Sequence, residues 1–436
     1  MSHRSAHPSR RVAILRALFL TCAVAAASGL SAGGAAAQEA PDAIGATLTA
    51  DAAVKAALAS VQANEPALIE EQVKLCEVPA PPFMEQKRGE MYRDIFTSLG
   101  LKNVRVDAVG NVIGERPGAA PRPNLVFTAH LDTVFPEGTP VKVTKEGATL
   151  YKGPGISDDC RGLAVVLGVI RALDAGKVKT PGTITFVGTV GEEGLGDLRG
   201  VKHLFNTELK DKIDRFVSVD GTGYGITHIG VGSKRYRVTF KGPGGHSYGA
   251  FGMVNPIHAL ARAINTISDF QVPSEPKTTF NVGRIGGGTS VNAIPFEAWA
   301  EVDMRSADAA SLATVDKQFQ KAVTDALSAE MKRWREKGQL TVDPKLVGDR
   351  PAGSTPVDSP IVKAAVSVTK ALNLPILLDE GSTDANVAMQ MKIPAITIDG
   401  GGKGNGAHAL TESFDSTDSW KGTQRALLVA IALAQK

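Results

Sequence analysis

The sequence predicts an α/β protein in two parts: a larger domain on a mixed, largely parallel sheet, and a ferredoxin-like α+β domain inserted into it. Three observations carry this. Through the first half of the chain, apolar strand-like runs alternate with helical stretches, the pattern of parallel strands covered by helices. Between residues 231 and 350 the order becomes strand, helix, strand, strand, helix, strand, which closes into one four-stranded sheet with helices on a single face. The length of 436 residues also exceeds what one hydrophobic core usually supports.

The chain begins with Arg4, Arg10, Arg11 and Arg16, an apolar run to Leu30 and the small residues Ala35, Ala36 and Ala37. Residues 1–37 therefore read as a signal peptide, and the mature protein as periplasmic or secreted. Ser9, Arg10 and Arg11 leave the twin-arginine and general secretory routes both open. No second apolar stretch is long enough to span a bilayer, so no membrane partner is expected. The leader takes four arginines and no acids with it, which moves the formal net charge from +3 to −1. With no basic cluster interleaved with aromatics, a nucleic-acid partner is excluded. Cys22 leaves with the leader. Cys76 and Cys160 could pair in an oxidising compartment, but a chain of this size needs no staple and free thiols are expected.

From Asp51 to Ser98 the pattern is helical, broken by the prolines of Val78–Pro82. Strands are expected near Asn124–Val134, Thr183–Val190 and Arg215–Val219, a helix near Leu163–Leu173, and a last strand at Ala395–Ile398. In the inserted segment Lys234–Lys241 alternates like a strand and Pro256–Ile267 has helical spacing. Thr278–Ile285 and Ala293–Met304 read as strands, Ala309 to about Lys337 as a long helix, and Leu340–Val342 as a short strand. The larger domain thus comprises residues 45–230 and 351–436, and the inserted one residues 231–350.

Ligands of open α/β sheets bind beyond the carboxyl ends of the strands. There the sequence places His130 and Asp132, Glu192 and Glu193, and Asp220, each after a different strand. Asp158 and Asp159 precede a helix, and His408 follows the glycine-rich residues 400–406. Imidazoles and carboxylates converging from five loops make a metal site. His130 and Asp132 lie two apart on a strand and point the same way, so the carboxylate is expected to hold one imidazole nitrogen while the other meets a metal. Adjacent Glu192 and Glu193 point apart, which suits one ligand and one group facing substrate. Asp158, Glu193, Asp220 and one hydroxide would balance two dications, with Asp158 the candidate bridge and Asp159 the alternative register. His203, His228 and His258 have no such context and are assigned to solvated or packing roles.

The ordered segments "TAHLDTV", "GPGISDDCRG", "GTVGEEGLG", "SVDGTG", "GPGGHS", "VNAIP" and "GNGAHALTE" resemble those of the co-catalytic zinc exopeptidases, a family that includes aminoacylase, carboxypeptidase G, peptidase T and succinyl-diaminopimelate desuccinylase. The resemblance implies a phosphorylase/hydrolase-like catalytic domain whose inserted domain makes a homodimer. It implies two Zn2+ per subunit, with Co2+ or Mn2+ as alternatives: one held by His130, Asp158 and Asp220, the other by Asp158, Glu193 and His408. Glu192 becomes the general base, with Asp132 behind His130, and His246 reaches the partner's active site. Asn292 and Arg305 resemble positions that bind the substrate's terminal carboxylate; for Arg305 a salt bridge with Asp303 or Glu301 is an equal alternative. Gly381–Asp384 resembles a loop lining the substrate cleft. The implied reaction is hydrolysis of amide bonds in short peptides. N-acyl amino acids or glutamate conjugates are the alternative substrates, and a non-catalytic binding protein is the remote alternative. Where many relatives carry Asp-Asp-Lys this chain has Asp158, Asp159 and Cys160, and the thiol is expected to pack inertly.

Overall fold

Strand-forming runs rich in valine, isoleucine and phenylalanine build the centre of a nine-stranded sheet. The fold is seen in a computed structural model that describes residues 43–335 and 337–435, so the signal-peptide stretch 1–37 lies outside the described residues. Four strands at the centre, Thr183–Thr189, Asn124–His130, Arg215–Val219 and Ala395–Ile398, run parallel. On one side the hairpin of Lys102–Val106 and Val112–Arg116 adds antiparallel, and on the other Gly225–Gly230 does the same. The sheet is therefore mixed, with a parallel heart.

Every residue of Asn124–His130 is buried, because helices cover both faces of the sheet. On one face Ala52–Cys76, Cys160–Ala175, Pro360–Ala371 and Trp420–Leu433 pack through side chains such as Leu68, Val166, Val362 and Leu427. On the other, Leu204, Phe205 and Met389 close over Val126 and Phe216. Among the described residues no single helix is long and apolar enough to cross a membrane.

The second sheet has four antiparallel strands in the order Thr278–Gly287, Glu297–Ser306, Gly232–Lys241, Thr341–Arg350. Its two faces follow from strict alternation. Ala298, Ala300, Val302 and Met304 turn to helices Pro256–Ser268 and Ala309–Arg333, where they meet Leu260, Phe319 and Val323. The intervening residues Trp299, Glu301, Asp303 and Arg305 form the opposite face.

Three elements differ from expectation. The run Ala293–Met304 is not one strand: Ala293–Ile294 pairs with Gly245–His246, Pro295 interrupts, and the long strand starts at Glu297. The long helix stops at Arg333. The final strand runs from Thr341 to Arg350, its polar alternation and Pro344 having concealed all but the first residues.

Candidate metal centre

His130, the last residue of its strand, is buried beneath the cleft floor. Its Nδ1 lies 2.9 Å from the carbonyl oxygen of Asp132. With Nδ1–H donated there, Nε2 faces the cleft, 3.1 Å from Asp158 Oδ1. The other Asp158 oxygen stands 3.1 Å from His408 Nε2, which is also 3.1 Å from Glu193 Oε1. Asp158 thus stands between the two imidazoles with one oxygen toward each. Two groups of possible ligands overlap on it: His130, Asp158 and Asp220, and Asp158, Glu193 and His408, with the ligand atoms of each group within 4.8 Å of one another. His130, Glu192 and Glu193 form a third such group.

The expected hydrogen bond from His130 to the Asp132 carboxylate is corrected. That carboxylate is 3.7 Å from Nδ1, within ion-pair reach only. Its oxygens accept instead from the backbone N–H of Glu192, 3.0 Å, and Glu193, 2.8 Å. Asp132 therefore fixes the turn on which both glutamates ride, and the carbonyl of the same residue orients the imidazole.

Asp158 and Asp159 divide their work. The oxygens of Asp159 accept from Gly162 N at 2.9 Å, capping helix Cys160–Ala175, and from His130 N at 3.0 Å. Glycine is required at 162: a Cβ would sit 2.2 Å from Asp159 Oδ1 and 2.4 Å from the Val219 carbonyl. Glu412 grips the loop before them, accepting from the backbone N–H of Gly155, Ser157 and Asp158 and from the Ser157 hydroxyl. Arg161 is fully buried and donates to the carbonyls of Gly400 and Ser419, joining this loop to the one that leads to His408. Cys160 and Cys76 are free and buried among Ile69, Ile156 and Phe414, as expected of packing residues.

Burial opposes a proton on His130, yet the carboxylates of Asp132 and Asp158 outweigh it and hold the imidazole well above its ordinary pKa. Asp158 and Glu193 push His408 up to about 10. Burial resists ionisation of Asp158, but the two imidazoles hold it well below the carboxylate range. Asp220 is raised to about 7 by burial and by the neighbouring acids. Two imidazoles and three carboxylates suit a divalent cation such as zinc, cobalt or manganese. Such a cation competes with protons. Because His408, raised to about 10, carries a proton at neutral pH and must lose it to ligate, binding should release about one proton and weaken as pH falls. Titrating metal into the protein calorimetrically, in buffers of different ionisation enthalpy, checks this; a heat independent of buffer would remove His408 from the ligand set.

The cleft above the cluster encloses about 900 Å³, with Asp158, Glu192, Glu193, Asp220 and His408 on one wall. Arg305 is on the facing wall, its Nε 2.7 Å from Asp303 Oδ2, so the alternative salt bridge is present and the residue still lines the cleft. His246 and Asn292 are not brought to the cluster. His246 is exposed, its Nδ1 accepting from the backbone N–H of Tyr248 and Gly249, and Asn292 lies beside it, its carbonyl accepting from Ser247 N. The other described histidines sit apart: His203 near Asp107, His228 against the Thr355 carbonyl, His258 near Glu330.

Sequence reasoning missed Arg350, which is buried with Nη1 3.0 Å from Glu192 Oε1 and 3.2 Å from Ser382 Oγ. It also gave no role to Asp384 alone, a buried acid raised to about 6 that accepts from the Thr189 hydroxyl. Burial raises the Glu192 pKa well above the usual glutamate value, and Arg350 only partly offsets this.

The model of Peptidase family M20/M25/M40 matches residues 126–432. Protein YqjE of Bacillus subtilis (strain 168), described as uncharacterized, is 26% identical over 348 residues, 77% of this chain and 90% of that one. Carboxypeptidase G2 of Pseudomonas sp. (strain RS-16) is 28% identical over 243 residues, 53% of this chain and 57% of the relative. A solved structure from Bacillus subtilis, described as a dinuclear metal binding peptidase from the M20 family, has the same fold. Its TM-score is 0.62 at 18% identity, with 86% of this chain and 100% of that one covered.

Proposed function

The chain belongs to Peptidase family M20/M25/M40, a family of hydrolases that cleave amide bonds, and on that footing we propose that it is a secreted metallopeptidase acting on short peptides through two zinc ions. The observation that carries this reading is the position of Asp158, one carboxylate shared by two groups of possible ligands. His130, Asp158 and Asp220 would hold one ion and Asp158, Glu193 and His408 the other. Bound there, a pair of divalent cations polarises the scissile carbonyl and lowers the pKa of water.

The chain's own residues do the rest. Glu192, anchored through its backbone by Asp132 and through Oε1 by Arg350, takes the proton of the attacking water and returns it to the leaving amine. The raised pKa of this buried carboxyl suits both halves of that exchange. Arg305, with only its Nε engaged by Asp303, offers its remaining N–H groups to the substrate's terminal carboxylate. We place His246 and Asn292 in the active site of the partner within a homodimer. Exposed Tyr248, Val291 and Phe296 around the His246 turn support burial of that surface against a second copy.

The test is turnover by the mature, metal-loaded protein on di- and tripeptides, N-acetyl amino acids and carboxyl-terminal glutamate conjugates, before and after chelation. Peptide hydrolysis that chelator abolishes and Zn2+, Co2+ or Mn2+ restores is the expected result. Turnover confined to acyl amino acids or glutamate conjugates would move the assignment to a deacylase or glutamate carboxypeptidase. A metal-loaded protein inert on the whole panel would leave a binding protein of the same fold.

A further inference from the structure

The wall of the cleft that faces the metal cluster is built from a sheet face richer in arginine than binding one terminal carboxylate requires. Strands Gly232–Lys241 and Glu297–Ser306 set Arg237 opposite Glu301 and Arg235 opposite Asp303, and strand Thr278–Gly287 sets Arg284 opposite Glu301 from the other side. Glu301 gives one oxygen to Arg237, 2.8 Å, and the other to Arg284, 3.0 Å. Asp303 is divided likewise between Arg235, 3.0 Å, and Arg305, 2.7 Å. Four guanidiniums thus share two carboxylates, and all four line the 900 Å³ cleft. Arg235 is spent on structure, since it also donates to the Gly194 carbonyl just past the glutamate pair. Arg237 and Arg284 are not: their side chains are 36% and 69% exposed, and both lie over the Trp299 ring, at 3.8 and 5.6 Å from its centroid.

We propose that Arg237 and Arg284, steadied on Trp299, form a second anion-reading subsite that selects substrates carrying a carboxylate beyond the terminal one, such as peptides with an aspartate or glutamate side chain. Resting on an aromatic face, the guanidiniums lose little freedom when they engage a ligand, and their planar forks match a carboxylate in two-pronged geometry. Sharing Glu301 leaves the pair with net positive charge. Low-dielectric cleft walls strengthen that charge toward an incoming anion. A neutral substrate would leave the same groups facing water and gain nothing from them.

This subsite rests on the hydrolase reading for its turnover test but not for its binding test. The substrates are two isosteric pairs, Glu-Ala against Gln-Ala and Ala-Glu against Ala-Gln. In one of the pairs the wild type should favour the glutamate member in kcat/KM by about 10-fold, the scale of one hydrogen bond to a charged group. Arg237→Gln combined with Arg284→Gln should bring that ratio to about 1–2, and Arg284→Gln alone, at the more exposed position, should lower it part of the way. The same ratios are read as affinities by calorimetry in Glu192→Gln protein, where turnover is slowed. A wild-type ratio near unity in both pairs, or a preference that survives in the double variant, overturns the proposal. Preferential binding without any turnover in the wild type would uphold the subsite and overturn the hydrolase.

Discussion

Glu192→Gln should lower kcat by about 10²–10⁴-fold, the usual worth of a positioned general base, with metal content unchanged. The substitution keeps the shape and the oxygen that accepts from Arg350, and it keeps the backbone N–H held by Asp132. What it removes is the capacity to accept a proton. Leaving buried Arg350 opposite a neutral amide costs a hydrogen bond's strength, about 1–3 kcal/mol, which a thermal melt would register separately from activity. The informative control is next door. Glu193 lies 3.1 Å from His408, so Glu193→Gln should lose metal together with activity. If Glu192→Gln lost metal in the same way, the third ligand group of His130, Glu192 and Glu193 would be the one that counts, and the base would have to be sought elsewhere.

The parallel centre of the sheet was legible because strands buried on both faces write themselves as unbroken apolar runs, and their carboxyl ends then announce where polar residues acquire meaning. That is how His130, Asp158, Glu193, Asp220 and His408 could be assembled on paper although the first and last are far apart in the chain. Period-two reasoning failed at Asp132 for a definable reason. It placed the carboxylate on the side of the ring, but it could not weigh the backbone amides of Glu192 and Glu193, which arrive from the neighbouring strand and bind the same oxygens at shorter range. Arg350 was out of reach altogether. Its partner lies 158 positions away, and no local spacing links the end of one sheet to the turn of another. The arginine wall had a faint signal, the alternation along Glu297–Ser306, which gives one strand an apolar face and a charged one. The charged face looked like solvent-exposed surface until the sheet was seen to roof the cleft.

On the two-ion reading, Asp158→Asn should cost the protein both ions, where loss of an unshared ligand costs mainly one. Dications about 3.5–4 Å apart repel by roughly 18 kcal/mol at an effective dielectric of ~20, and the negative charge placed between them offsets this most efficiently. Asparagine retains an oxygen but not the charge, so neither ion keeps a screened neighbour. Asp220→Asn and His408→Ala each remove a group that belongs to one ligand set alone. Metal per subunit, measured after gel filtration, should therefore fall toward zero for Asp158→Asn and toward one for the other two. The accompanying loss of activity should exceed the roughly 10–100-fold that follows from disturbing a group behind a ligand. Asp159→Ala separates charge at the centre from support around it. Both oxygens of that residue are held by backbone N–H groups, one of them the cap of helix Cys160–Ala175, so its removal should lower the melting temperature. Metal stoichiometry in Asp159→Ala should stay near that of the wild type. Were Asp158→Asn to retain two ions per subunit while Asp159→Ala lost them, the bridging role would pass to the neighbouring carboxylate and the division between the two aspartates would be reversed.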